Sequence, residues 1–243
     1  PAKQAEVRDQ LPLSGSGKLI TTVEPKFIPK EAVSVDLGED RKAKVRLIDC
    51  VGFLVKDAGG NVEDGKERMV KTPWSEKEIP FTQAAQIGTR KVIGDHSTIG
   101  IVVTTDGSVG ELKRSAYIDA EKQTVDELKK LGKPFILLLN STKPYSDETL
   151  KLAEQLAADY GVTVLPVSCE QLKKEDIFHI LESVLKEFPV TQLDFHIPKW
   201  LEVLPATHWL KTQVIDMARE LLKKVSHMKD AASQIKTFGG SSG

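Results

Sequence analysis

Between residues 99 and 188 short apolar runs alternate with longer stretches whose apolar positions recur at helical spacing. The runs Ile99 to Val103, Pro134 to Leu139 and Val162 to Val167 predict three strands. Ala116 to Leu131 ends at Gly132, Asp147 to Tyr160 ends at Gly161, and Lys174 to Phe188 is halted by Pro189; these predict three helices with ordinary stop signals. Continuously apolar strands separated by amphipathic helices predict an α/β fold. The sheet is expected to be mostly parallel, covered by helices on both faces, with right-handed crossovers.

Outside that segment the pattern is coarser. Residues 1 to 30 carry scattered Pro, Gly and Ser without a period and read as irregular. Ala32 to Leu37 alternates, as a strand with one wet face does. Lys44 to Cys50 suits a second strand, and the charged stretch Gly38 to Lys42 suits a hairpin turn between them. Residues 54 to 80, rich in Gly, Asp, Glu and Lys with two prolines, predict a long loop, and Phe81 to Ile93 predicts a helix. After Pro189 the rhythm changes. Val190 to Ile197 alternates, then Pro198 and Trp200 lead into an amphipathic helix from His208 to Lys229. We therefore expect one domain over 1–189, the start of a second over 190–238, and a flexible linker or appended tail over 239–243.

Composition narrows the classes. With 40% hydrophobic and 28% charged residues the chain is an ordinary globular one and not a disordered one. A net charge of −1 supplies no field for nucleic acid, so no nucleic-acid partner is expected. No apolar run approaches the ~20 residues of a membrane span. The polar start, Pro1 to Gln10, is no secretory signal, and without an initiator Met the chain reads as a piece of a longer or processed protein. Cys50 and Cys169 stand alone, which predicts reduced, partly buried thiols in a cytoplasmic protein rather than a zinc site or a disulfide. The five histidines show no ligand spacing.

In open α/β sheets, ligands bind beyond the carboxyl ends of the strands. Three loops there carry candidate chemistry. Asp49-Cys50-Val51-Gly52 has the D-x-x-G spacing in which the Asp holds Mg²⁺ through its water shell and the Gly amide approaches a γ-phosphate. Asn140-Ser141-Thr142-Lys143 follows the next strand where guanine-binding relatives carry N-K-x-D. Neither the Lys nor the Asp is in register here, so the acceptor that selects guanine is missing and ATP is the better expectation. Val167-Ser168-Cys169 follows the last strand, where a small-residue loop lies against the base; Ser168 is its candidate. The order of the three loops points to a GTPase-like P-loop NTPase fold. Thr21 and Thr22 occupy the position of a switch threonine that binds Mg²⁺ and senses the γ-phosphate. Phe53, following Gly52, cannot orient water. Ser14-Gly15-Ser16-Gly17-Lys18 imitates a phosphate loop but has Pro12 at the first Gly position and Leu19 in place of the hydroxyl, so we expect this chain to lack a phosphate loop.

Several stretches go beyond a generic NTPase. They include Glu24-Pro25-Lys26-Phe27, Arg46 to Gly52, Lys71-Thr72-Pro73-Trp74, Ile79-Pro80-Phe81, Ile87 to Ile93 and Asp95 to Gly100. Val103 to Gly107, Lys133-Pro134-Phe135, Asn140-Ser141 with Pro144-Tyr145, and Glu187 to Val190 continue the series. From about Leu11 to Lys229 the chain resembles the stage IV sporulation protein A family of spore-forming bacteria. The resemblance implies an ATPase of the GTPase-related class that coats the developing forespore from the mother-cell cytoplasm. It implies ATP and Mg²⁺ as cofactors, self-assembly into filaments as the base of the spore coat, and anchoring helped by a small amphipathic membrane-associated peptide. Other coat proteins and a peripheral membrane association would complete the partner set. Within the family's motifs Asp49 is the Mg²⁺-associated carboxylate and Thr21 and Thr22 are the sensor threonines. The family shows Thr-Thr directly before Glu-Pro, and Val23 takes the second of those positions here, which favours Thr22. Without its phosphate loop this chain is expected to bind ATP poorly and to be inactive by itself. The competing reading is a nucleotide-free interaction module on an NTPase platform.

Overall fold

A computed structural model describes residues 26–36, 42–59, 61–63, 65–72 and 75–231 of the chain. These divide into two compact units that meet between Glu182 and Ser183.

The first unit opens with β1 (Lys26–Asp36) and β2 (Lys42–Asp49), an antiparallel pair in which Lys26 lies opposite Asp49 and Asp36 opposite Lys42. The predicted hairpin is present, and its turn, with Leu37, lies outside the described residues. The expected long loop over 54–80 is corrected. It folds in part into two short antiparallel pairs, β3 (Val62–Glu63) with β4 (Lys66–Glu67) and β5 (Met69–Thr72) with β6 (Ser75–Pro80). The physical reason is sparse apolar content: only Val70 and Ile79 of these strands pack inward, against Phe81, Ala84 and Ala85. That is too few for alternation to stand out from the charged positions around them. Those three buried residues belong to α1 (Phe81–Lys91), which continues into a π-helical turn over Val92–His96.

The remainder of this unit is a three-layered β/α succession. β7 (Gly100–Thr105), α2 (Arg114–Lys130), β8 (Phe135–Asn140), α3 (Asp147–Tyr160), β9 (Val164–Val167) and α4 (Lys174–Lys186) follow in order, and α4 runs past the unit boundary. The strands form a parallel sheet in the order β7-β8-β9. Ser146 caps α3 by accepting from the Thr149 amide at 3.3 Å, and the helix closes at Gly161. In β8 five of the six residues are buried, because both faces of this central strand are covered. For β7 the expectation of two covered faces is corrected: Val102 and Thr104 are buried, whereas Val103 on the opposite face is 59% exposed. β7 is an edge strand among the described residues, since none of the three antiparallel pairs joins it.

Val102, Val125, Leu128, Leu137, Leu139, Ala153 and Leu156 make the main apolar core between sheet and helices. Within it lies a polar knot. Glu121 accepts from Arg114 at 2.8 Å and from the Tyr160 hydroxyl at 2.8 Å, and Arg114 also donates to Thr104 at 3.0 Å. Burial alone would raise the Glu121 carboxyl, but the bonds from Arg114, Thr104 and Tyr160 outweigh it and hold the group below its ordinary value. The same contact, added to burial, pushes the Tyr160 phenol well up.

The second unit holds α5 (Lys199–Glu202) and α6 (Trp209–Lys224). The helix expected from His208 to Lys229 is corrected at its end. Val225 turns extended, and Ser226 to Met228 pair with Phe188 to Val190 instead, through Val190 N to Ser226 O and Met228 N to Phe188 O, both 3.0 Å. Asp230 accepts from the amides of Ser226 and His227, which starts a fresh turn and competes with continuation of the helix. The alternation over Val190 to Ile197 carries no strand.

Candidate functional site

The register of the parallel sheet brings Thr105 level with Asn140 and Asn140 level with Val167. The three following loops therefore open along one edge, the carboxyl edge where the topology of such sheets puts ligands. Asn140 is half-buried, and its side-chain oxygen accepts from the Cys169 amide at 2.9 Å. Ser141 is fully buried. Its amide donates to Val167 O at 2.9 Å, and its hydroxyl accepts from the Lys143 amide at 3.0 Å. Ser168 sits between these contacts in extended backbone, and its carbonyl accepts from Gln171. Asn140, Ser141 and Ser168 are thus brought together as one braced loop pair. A neutral amide oxygen spent on the neighbouring loop fixes the geometry of the two loops relative to each other.

Asp106, one residue beyond β7, has no role assigned from sequence, yet it joins this edge. Its carboxylate accepts from the Ser108 amide at 2.9 Å and hydroxyl at 2.6 Å and from the Thr149 hydroxyl at 3.3 Å. Partial burial would raise this carboxyl; the hydroxyl and amide donors outweigh it and hold it below the ordinary carboxylate range. The signal that could have found it is its place: a strand-terminal Asp followed by Gly, directly after β7.

Asp49 and Gly52 lie at and just beyond the end of the β1–β2 hairpin. Asp49 ends β2 and is exposed. Gly52 adopts a φ of +79°, which favours glycine, and a Cβ there would meet nothing within 4 Å. Between them, burial pushes the Cys50 thiol up; the Gly52 amide pulls it back in part and the Asp49 charge adds to the rise. A thiol so held is not a nucleophile. Phe53 is buried at 6% exposure, so it packs and faces no reacting water. Among the described residues no hydrogen bond joins Asp49 or Gly52 to the Asn140 loop, although the Lys56 amide reaches Ala116 O at 3.2 Å and ties this segment to α2. Thr21 and Thr22 lie outside the described residues.

The donor set fits a magnesium–nucleotide ligand in one respect. Among the described residues no group of three His, Cys, Asp or Glu side chains could hold a bare metal ion. A single exposed carboxylate such as Asp49 is what magnesium requires when it keeps several waters and shares phosphate oxygens.

Comparison with known proteins decides the family. Residues 1–189 match the family model described as Stage IV sporulation protein A, ATPase domain, and residues 190–242 match Stage IV sporulation protein A, middle domain. The chain belongs to the stage IV sporulation protein A family. The chain is 42% identical to Stage IV sporulation protein A of Bacillus subtilis (strain 168) over 237 residues, covering 98% of this chain and 48% of that protein. The family protein of Clostridioides difficile (strain 630) is 44% identical over 236 residues, 97% of this chain and 48% of its own length. That of Bacillus anthracis is 44% identical over 223 residues, 92% of this chain and 45% of its own. The chain spans about half the length of these curated relatives. No solved structure matches it. The stage IV sporulation protein A family accounts for the mixed α/β fold with its parallel sheet, and no helix among the described residues is long and apolar enough to cross a membrane.

Proposed function

We propose that this chain is the nucleotide-handling part of an ATP-hydrolysing morphogenetic scaffold. The observation that carries this reading is the braced pair of loops after β8 and β9. Asn140 spans from one to the other as a base-loop residue does, while the fourth position of the loop, Lys143, offers no carboxylate to guanine. Asn140, Ser141 and Ser168 would border the base. Gly52 would present its amide to the γ-phosphate, and Asp49, with Thr22 or Thr21, would hold the water shell of Mg²⁺. Bound magnesium neutralises charge that develops on the phosphate oxygens.

On this reading the whole protein assembles with copies of itself on the forespore surface, facing the mother-cell cytoplasm, as the base of the spore coat. A small amphipathic membrane-associated peptide and other coat proteins would be its partners, and its membrane association would be peripheral. The names of the family and of its sporulation relatives support the setting; the loops after β8 and β9 support the nucleotide. A second reading is a nucleotide-free platform, in which the bonds between the loops after β8 and β9 serve the fold alone.

The test is turnover of ATP and GTP with Mg²⁺ by the chain extended to the length of its relatives, beside Asp49→Ala. ATP-selective turnover that collapses in the Asp49 variant supports the ATPase and the role of Asp49 together. Turnover that ignores Asp49 removes the site assignment, and no turnover favours the inert platform.

A further inference from the structure

The loop after Asn140 is held from two sides. From the β9 side, Ser141 N donates to Val167 O and Cys169 N donates to the Asn140 side chain, each at 2.9 Å. From the β7 side the ties converge on one carboxylate. The Thr142 amide donates to the Ser108 hydroxyl at 2.9 Å, and that hydroxyl donates to Asp106 at 2.6 Å. Thr149, at the start of α3, donates to the other Asp106 oxygen at 3.3 Å and lies 3.3 Å from the Ser141 hydroxyl. The Asp106 amide in turn donates to Asn140 O at 3.3 Å.

The backbone that carries Asp106 is itself fixed. Gly107 has a φ of +89°, and a Cβ there would meet the Arg114 amide nitrogen at 2.7 Å, so the turn is pressed against the start of α2. A fixed anion thus gathers hydroxyl and amide donors from its own loop and from α3, and reaches through Ser108 to a loop of which Lys143 is the fourth residue. An ionised acceptor makes stronger bonds than a neutral one, and the donors here keep Asp106 ionised at lower pH than an ordinary carboxylate.

We propose that Asp106 is a positioning residue for nucleotide: through Ser108 and Thr149 it sets the conformation of the Asn140–Lys143 loop and thereby the affinity for adenine nucleotide. This rests on the reading of that loop as the base loop. The Asp106 carboxylate is engaged by Ser108 and Thr149, so its loss is expected to act on binding and not on the chemical step.

The experiment is steady-state ATP and GTP hydrolysis by the chain extended to the length of its relatives, comparing the unaltered protein with Asp106→Ala, Asp106→Asn and Ser108→Ala. Removing the charged acceptor is expected to raise KM for ATP about tenfold in Asp106→Ala, with kcat within about twofold. Asp106→Asn, which can still accept from the Ser108 amide, restores most of the affinity, and the ratio of GTP to ATP KM falls in the Ala variant. Ser108→Ala removes both the bridge to Thr142 and the hydroxyl bond to Asp106 but keeps the Ser108 amide donor, and it raises KM about threefold, a check that remains if Asp106→Ala fails to fold. An unchanged KM in both Ala variants overturns the inference, as does a kcat that falls in step with thermal stability while KM stays put. If the unaltered protein turns over neither nucleotide, the reading of the site fails first and the inference falls with it.

Discussion

The sheet β7–β9 with its helices and the stretch from Ser183 onward handle their apolar residues in opposite ways. In the first, Ile136, Leu137 and Leu139 on adjacent positions of one strand are fully buried. In the second, Trp200, Val203 and Trp209 stand exposed at 61%, 84% and 69%, and among its described residues Val184, Leu201 and Val225 are the buried apolar ones. Both segments read as amphipathic in sequence. The difference is that a parallel strand with neighbours on both sides presents two faces to be covered, whereas a short helix or an isolated helical face covers one stripe and leaves the rest to water. Apolar content alone therefore does not locate the core; the number of elements packed around a position does.

Substitution in β8 should expose that contrast most. Leu137→Ala removes a side chain with no exposed surface and leaves a cavity between α2, α3 and the sheet, so a loss of about 3–4 kcal/mol in unfolding free energy is expected. Chemical denaturation of the two proteins measures it. A loss under 1 kcal/mol would mean the core closes over the gap and the contrast between the two regions is overstated.

Next in size is the polar knot that the same layers enclose. Glu121 has 2% of its side chain exposed and Arg114 19%, so Glu121→Gln leaves a guanidinium without its counter-charge and should cost about 3 kcal/mol at neutral pH. The sign of its pH dependence follows from the lowered carboxyl. The folded group titrates below its unfolded value of 4.5, so its contribution is fully present above that value and is lost as pH falls through the lower, folded one. Unfolding free energies of the unaltered chain and the Gln variant should converge as pH falls through the lowered range of the folded carboxyl. A gap that stays constant with pH would assign the cost to packing instead of charge.

How much of this was legible follows from the range of each signal. β8 and α3 could be read directly, because Phe135-Ile136-Leu137-Leu138-Leu139 is a continuous apolar run that suits a doubly covered strand, and Gly161 stops α3 where its periodicity ends. The knot was not legible. Thr104, Arg114, Glu121 and Tyr160 are partners across up to 39 residues, and a polar side chain at a buried helical position looks in sequence like a solvated one. Residues 54–80 were misread because their strands run two to six residues and bury one apolar position each at most in the inner cluster. At the candidate site, Asn140 and Ser141 were singled out by position after a strand, and they do lie at the carboxyl end of β8. Asp106 was missed because its partners Ser108, Thr142 and Thr149 converge only once the three loops share an edge.

A smaller effect tests the local signal by itself. Ser146→Ala removes the acceptor for the Thr149 amide and should cost about 1 kcal/mol, since the cap serves one helix and leaves the core intact. The same substitution frees Thr149, which lies 2.9 Å from the Ser146 hydroxyl and also donates to Asp106. A loss well above 1 kcal/mol in thermal unfolding would show that the cap and the Asp106 cluster are one cooperative unit.

The smallest effect is expected where the second region is most apolar. Trp209 opens α6 with 69% of its surface exposed and stacks on His208 with ring centroids 5.9 Å apart. That contact involves one neighbouring residue and displaces little water, so Trp209→Ala should alter the stability of this chain by less than about 0.5 kcal/mol. Leu201→Ala, in the same unit at 4% exposure, should cost about 2 kcal/mol or more. Equal losses at the two positions would mean that Trp209 is covered in solution and that the second region has a core of its own. The expected inequality instead keeps exposure, rather than side-chain size, as the quantity that separates a residue holding the fold from one left on its surface.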